Sequence, residues 1–108
     1  MEVPLEIDVT EAARLLKTPG QVLLLDVREP HEWAFCHLNG DLHIPIREVP
    51  GRLDELPRDQ HILVLCHHGA RSLHVTQYLR ANDYQLVSNI AGGIHAWAET
   101  VDPAMRRY

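Results

Sequence analysis

Two uninterrupted apolar runs, Val22-Leu23-Leu24-Leu25 and Ile62-Leu63-Val64-Leu65, constrain the fold more than any other feature of this chain. Neither alternates with polar residues, so each must hide both of its faces. Strands of that kind belong to a parallel sheet covered on both sides by helices. Shorter extended pieces are predicted at Leu42 to Pro45 and at Gln85 to Ile90. Between them lie helical stripes: Ala12, Leu15 and Leu16 behind an N-cap at Thr10; Val49, Leu53 and Leu56; Val75, Tyr78 and Leu79; and Ile94, Trp97, Ala98 and Val101. These stripes are read as core-facing surfaces. Strands alternating with helices predict an α/β fold, with a central, mainly parallel sheet flanked by helices on both faces and joined by right-handed crossovers.

A chain of 108 residues has the size of one domain, and residues 1–108 are read as a single unit with one main site. With 45% apolar and 23% charged residues, it can bury a packed core. The start of the chain, Met1-Glu2-Val3-Pro4-Leu5-Glu6, lacks the basic and apolar stretches of a secretory signal, and no segment is long enough to span a bilayer. The expected compartment is therefore the cytoplasm, where the two cysteines have no need to pair. A formal net charge of -5 weighs against nucleic acid as a partner, and the lack of a spanning segment against a membrane.

Ligands of open α/β sheets bind beyond the carboxyl ends of the strands. Asp26 closes the first apolar run and Cys66 follows the second, so both side chains are expected at the same edge of the sheet. Cys66 opens the loop Cys66-His67-His68-Gly69-Ala70-Arg71-Ser72, and a helix is predicted from Arg71 or Ser72 through Ala81, ending near Asn82-Asp83. A thiol at a helix N-terminus meets unpaired amides and the positive end of the dipole, which favour the nucleophilic thiolate. Gly69 permits tight curvature, and Arg71 carries a permanent charge in a planar fork suited to an oxyanion. The plainer reading of Cys66 is a buried structural thiol after a core strand.

The segment from Leu25 to Trp33 (Leu-Asp-Val-Arg-Glu-Pro-His-Glu-Trp), then His37-Leu38-Asn39-Gly40 and His43-Ile44-Pro45, then Val64 to Ser72, and finally Ala91-Gly92-Gly93-Ile94-His95-Ala96-Trp97 resemble, in order, the motifs of the rhodanese family over nearly the whole chain. The resemblance implies the three-layer rhodanese-like fold and a sulfurtransferase of the thiosulfate:cyanide type. Its catalytic residue would be Cys66, alternating between thiolate and a covalent persulfide, with no cofactor. Backbone amides from His67, His68, Gly69, Ala70, Arg71 and Ser72 would hold the terminal sulfur. Arg71 would orient an anionic donor such as thiosulfate, and the side chains of His67 and His68 would line the entrance. Asp26 and Arg28 would brace the loop, or form an ordinary strand-end ion pair. The acceptor would be a thiol or cyanide. Related cell-cycle phosphatases have a loop one residue longer, so phosphatase or arsenate reductase chemistry ranks below sulfur transfer.

Cys36 stands where the family usually has glycine. It is either a small space-filler or a resolving thiol for Cys66. Cys36, His37, His43, Cys66, His67, His68 and His74 invite a metal, but no CxxC or HxxxH pair appears and adjacent histidines in a tight loop rarely converge, so no metal is expected. His31, His61 and His95 have no assigned role. The stretch from Val101 to Tyr108 resembles the tail of rhodanese domains fused to adenylyltransferases, which makes a sulfur-relay or docking module serving a sulfur-carrier protein the alternative reading.

Overall fold

The computed structural model describes residues 2–18 and 20–108. Five parallel strands, β1 (Glu6–Ile7), β2 (Val22–Asp26), β3 (Leu42–His43), β4 (His61–Leu65) and β5 (Val87–Ile90), form one sheet in the order β1-β5-β4-β2-β3. The two apolar runs are its central neighbours β2 and β4, in register from Val22 opposite His61 to Asp26 opposite Leu65. Four helices accompany them: α1 (Val9–Leu15), α2 (Pro30–Phe35), α3 (Ala70–Ala81) and α4 (Gly93–Thr100).

Because side chains alternate across a strand, each apolar run feeds two cores. Leu25, Ile62, Val64 and Val87 point to one face, where Val75 and Leu79 of α3 and Val49 and Leu56 close over them. Leu24, Leu63, Leu65 and Ile90 point to the other, under Val9 and Ala12 of α1 and Ile94 and Trp97 of α4. The uninterrupted hydrophobicity of the runs follows from this double coverage.

Two local expectations are corrected. The first helix is capped not by Thr10 but by Asp8, whose carboxylate accepts the Glu11 N–H at 2.8 Å. The stripe Val49, Leu53, Leu56 is a 3₁₀ segment (Ile46–Glu55), interrupted at Arg52 and containing Pro50, which lacks the amide a regular helix would use. Finally, β1 and α2 were not foreseen. α2 starts with Pro30 at its first position and a reciprocal capping box between Glu29 and Glu32. Among the described residues no helix is long and apolar enough to cross a membrane.

Candidate active site

Cys66 lies one residue beyond β4, beside the end of β2, so it and Asp26 both lie at the carboxyl edge of the sheet. Its side chain is almost fully buried, at 1% exposure. The loop turns at Gly69, whose φ of +105° only glycine adopts without strain. That turn aims the Gly69 N–H at Cys66 Sγ, 3.1 Å away. α3 begins at the next residue with no side-chain cap, so the amides of its first turn have no intrahelical acceptor. They supply positive potential at the loop that carries the thiol.

The loop is held from beneath by α4. Ile94 N–H donates to the Cys66 carbonyl at 2.9 Å and His95 N–H to the His67 carbonyl at 3.0 Å. Gly93, with φ +61°, lies so close to these two carbonyls that a Cβ would collide with both. The Gly92-Gly93 pair is thus the floor of the loop.

Ser72, backed by Asn89, makes a second contact with the sulfur. Both are fully buried. The Asn89 amide nitrogen donates to Glu6 Oε2 at 2.8 Å and to the Gly69 carbonyl at 3.1 Å, which leaves its oxygen facing the Ser72 hydroxyl. Ser72 Oγ also lies 3.2 Å from Cys66 Sγ. The hydroxyl has one proton for two acceptors. It donates to Asn89 when the sulfur is a thiol, and can turn to the sulfur when it is a thiolate. Ser72→Ala is expected to slow alkylation of Cys66 by iodoacetamide about tenfold or more, because a hydrogen bond to a charged group is worth about 1.5–3 kcal/mol. An unchanged rate would remove Ser72 from the sulfur's environment.

Asp26 and Arg28 are completely buried. All five guanidinium N–H groups of Arg28 find acceptors: the Asp26 carboxylate at 2.8–3.1 Å, the Cys36 carbonyl at 2.7 Å, the Glu32 carbonyl at 3.3 Å and the Tyr108 hydroxyl at 3.0 Å. This pair organises α2 and Tyr108; the direct brace on the 66–72 loop is Glu32. Its carboxylate receives both arms of Arg71, at 2.6 and 2.9 Å, and the Tyr108 hydroxyl at 2.9 Å. Arg71, expected to orient an anionic donor, is thus paired with Glu32 while its side chain stays about one-third exposed. Burial holds the Tyr108 phenol up, at about 12, so it donates to Glu32 throughout the physiological range.

The Arg71 hydrogen bonds pull the Glu32 carboxyl down to about 2, with the Glu29 amide and Tyr108 adding to the effect against the opposing cost of burial. A carboxyl lowered on folding stabilises the folded state above its unfolded pKa, about 4.3, and that contribution disappears as pH falls toward the folded value. Urea midpoints of the parent are expected to drop across this acid window more steeply than those of Glu32→Gln. Parallel pH profiles would show that the pair contributes nothing.

His67 is half-buried and His68 exposed. His67 stacks on Tyr108 at 3.9 Å between centroids and pairs through Nε2 with the Tyr108 carbonyl at 2.9 Å. Burial, and then the charge of His68, hold His67 below the ordinary imidazole value. Cys36 and Cys66 are both free thiols, packed in different clusters: Cys66 with Val64 and Val75, Cys36 against the group of Leu38 and Leu65. A resolving role for Cys36 gains no support from that separation.

Glu32, Asn89 and Tyr108 were missed as members of the site. Asn89 did leave a signal, as a polar residue inside a strand that is otherwise buried and mostly apolar. Glu32 lay within a recognised motif but gave no sign of its partner 39 positions away.

A buried cysteine lies at the carboxyl edge of a five-stranded parallel sheet of an α/β protein, cradled by a glycine turn and a helix N-terminus. Comparison with known proteins narrows this. The Rhodanese-like domain family matches residues 8–100, and the chain belongs to that family. It is 38% identical over 93 residues to a sulfurtransferase of Allochromatium vinosum, covering 86% of this chain and 87% of that one. It is 33% identical over 91 residues to the thiosulfate sulfurtransferase GlpE of Tolumonas auensis, covering 84% and 85%. The rhodanese-like domain protein of Staphylococcus aureus, a crystal structure, superposes with a TM-score of 0.81 at 28% identity, over 100% of this chain and 99% of that one.

Proposed function

We propose that this chain moves sulfane sulfur from thiosulfate, or a related donor, to a thiophilic acceptor through a persulfide on Cys66. The observation that carries the reading is the cradle: a buried sulfur with hydrogen-bond donors aimed at it and, among the described residues, no general base bonded to it. Sulfur transfer suits such a site, since a thiolate nucleophile needs no proton removed from it. The Cys66 thiolate attacks the outer sulfur of the donor, and the bond to the sulfite sulfur breaks, with sulfite leaving on the electron pair. An acceptor thiolate or cyanide then attacks the outer sulfur of the persulfide, and Cys66 departs as thiolate. One difficult exchange becomes two displacements.

In this mechanism the Gly69 amide and the amides that open α3 stabilise the negative charge on the terminal sulfur. Arg71 acts with Glu32 as a fixed pair that positions the start of α3. The anionic donor is met mainly by amides and the helix dipole. The relationship to a thiosulfate sulfurtransferase supports thiosulfate as the first donor to test.

The test is intact mass measurement after incubation with thiosulfate. The chain should gain the mass of one sulfur atom, release an equal amount of sulfite, and lose the added mass to a reducing thiol. Loading from a protein persulfide donor but not from thiosulfate would replace this reading with the relay module. Loading from neither would sink both.

A further inference from the structure

His67, His68 and His95 come from two segments that meet at the rim of the cradle. The first two follow Cys66 in the loop. The third lies in the opening turn of α4, whose amides hold the loop carbonyls. Each ring offers one nitrogen, and these three atoms lie within 4.8 Å of one another. The rings of His68 and His95 are 5.0 Å apart, and those of His67 and His68 are 3.9 Å apart. Adjacent histidines in a tight loop do not enclose an ion by themselves. His95 supplies the third direction that spacing in the sequence did not reveal.

Two of the rings also have outer partners. His67 Nε2 pairs with the Tyr108 carbonyl at 2.9 Å, and His95 Nε2 lies 3.3 Å from Glu99 Oε1. The carbonyl beside His67 is an acceptor, which favours a proton on Nε2 and a lone pair on Nδ1, and a carboxylate oxygen stands beside His95 Nε2. A carbonyl or carboxylate behind the imidazole is the arrangement that orients histidine ligands and raises their basicity.

We propose that His67, His68 and His95 form a binding site for a first-row divalent cation of the zinc type, with at least one coordination position left open. The ligand set is all imidazole, which selects zinc, copper or nickel over magnesium or calcium, whose ligands are oxygens. Tetrahedral zinc with bonds of about 2.0–2.1 Å spaces its ligand nitrogens by about 3.4 Å, so closure takes side-chain movements of about an ångström. His68 and His95 are exposed and can make them. Because two ligands belong to the loop and one to α4, a bound ion would clamp the loop to its floor. It would also place positive charge at an entrance where Arg71 is already engaged by Glu32.

The probe is Zn²⁺ itself, titrated calorimetrically into Cys66→Ser protein so that the thiolate cannot serve as a ligand. The measurement does not depend on sulfur transfer, so it stands or falls separately from the proposed activity. Binding of one ion per chain is expected. His95→Ala and His68→Ala should each weaken it tenfold or more, and Glu99→Gln should weaken it about tenfold by removing the carboxylate beside His95. The exposed His31→Ala should leave it unchanged. Parent protein with Cys66 blocked by iodoacetamide should behave alike, which covers the case of a serine variant that does not fold. Affinity unaltered in His95→Ala, or equal losses from His31→Ala and His95→Ala, would overturn the site.

Discussion

Cys66→Ser is expected to take up no sulfur from any donor while keeping the fold. The side chain at this position is buried, yet it is approached by the Gly69 N–H at 3.1 Å and the Ser72 hydroxyl at 3.2 Å. A serine oxygen would accept the Gly69 N–H and give its own proton to the Ser72 oxygen, so the loop has no buried polar group left without a partner. Chemistry separates the two atoms. A persulfide requires a polarisable thiolate to attack sulfur and later to leave from it. A hydroxyl at neutral pH does neither. Intact mass before and after a reducing thiol reads the result directly. A sulfur adduct that persists in the variant would assign the chemistry to Cys36, the other thiol in the chain.

Gly93→Ala should produce the largest loss of stability among conservative changes near the site. At φ +61° an alanine is strained in any surroundings, and here its Cβ would also press on the Cys66 and His67 carbonyls, which are backbone atoms tied to α4. We expect a loss of about 2–5 kcal/mol from the two effects together. For a domain of this size that lowers Tm by very roughly 10–25 °C. Sulfur uptake should fall as well, since the only relief is to move the loop. Gly40→Ala is the control: its φ is +79°, but an added Cβ meets nothing within 4 Å, so only the backbone cost of about 1–2 kcal/mol applies. Similar losses at the two positions would show that close approach at Gly93 is unimportant.

The fold was legible wherever burial is dictated by consecutive residues. β2 and β4 could be read because both faces of each are covered, and the loop could be read because its glycine, cysteine and helix start are neighbours in sequence. α3 emerged within two residues of its predicted start. What escaped was of two kinds. β1 has only two residues, too few for any period to show, and the helical reading of Val49 to Leu56 overlooked what Pro50 forbids. The other misses are pairings across the chain, such as Arg71 with Glu32, His95 with His67 and His68, and Tyr108 with Arg28. Each side chain had several plausible partners until the sheet order placed one beside it. Arg71 shows the cost. Its charge was visible in the sequence, and its prior engagement was not.

The path from Glu6 through Asn89 to Gly69 and Ser72 gives the edge of the sheet a hold on its centre. β1 pairs with β5 through only two residues, and such short edges open locally at far lower free energy than a core strand. When β1 lifts away, Asn89 loses one of the two acceptors that fix its amide, although β4 and β5 stay paired. The hydrogen bonds around Cys66 are thus linked to the sheet margin two strands away, so any opening of β1 would reach the sulfur's surroundings through Asn89.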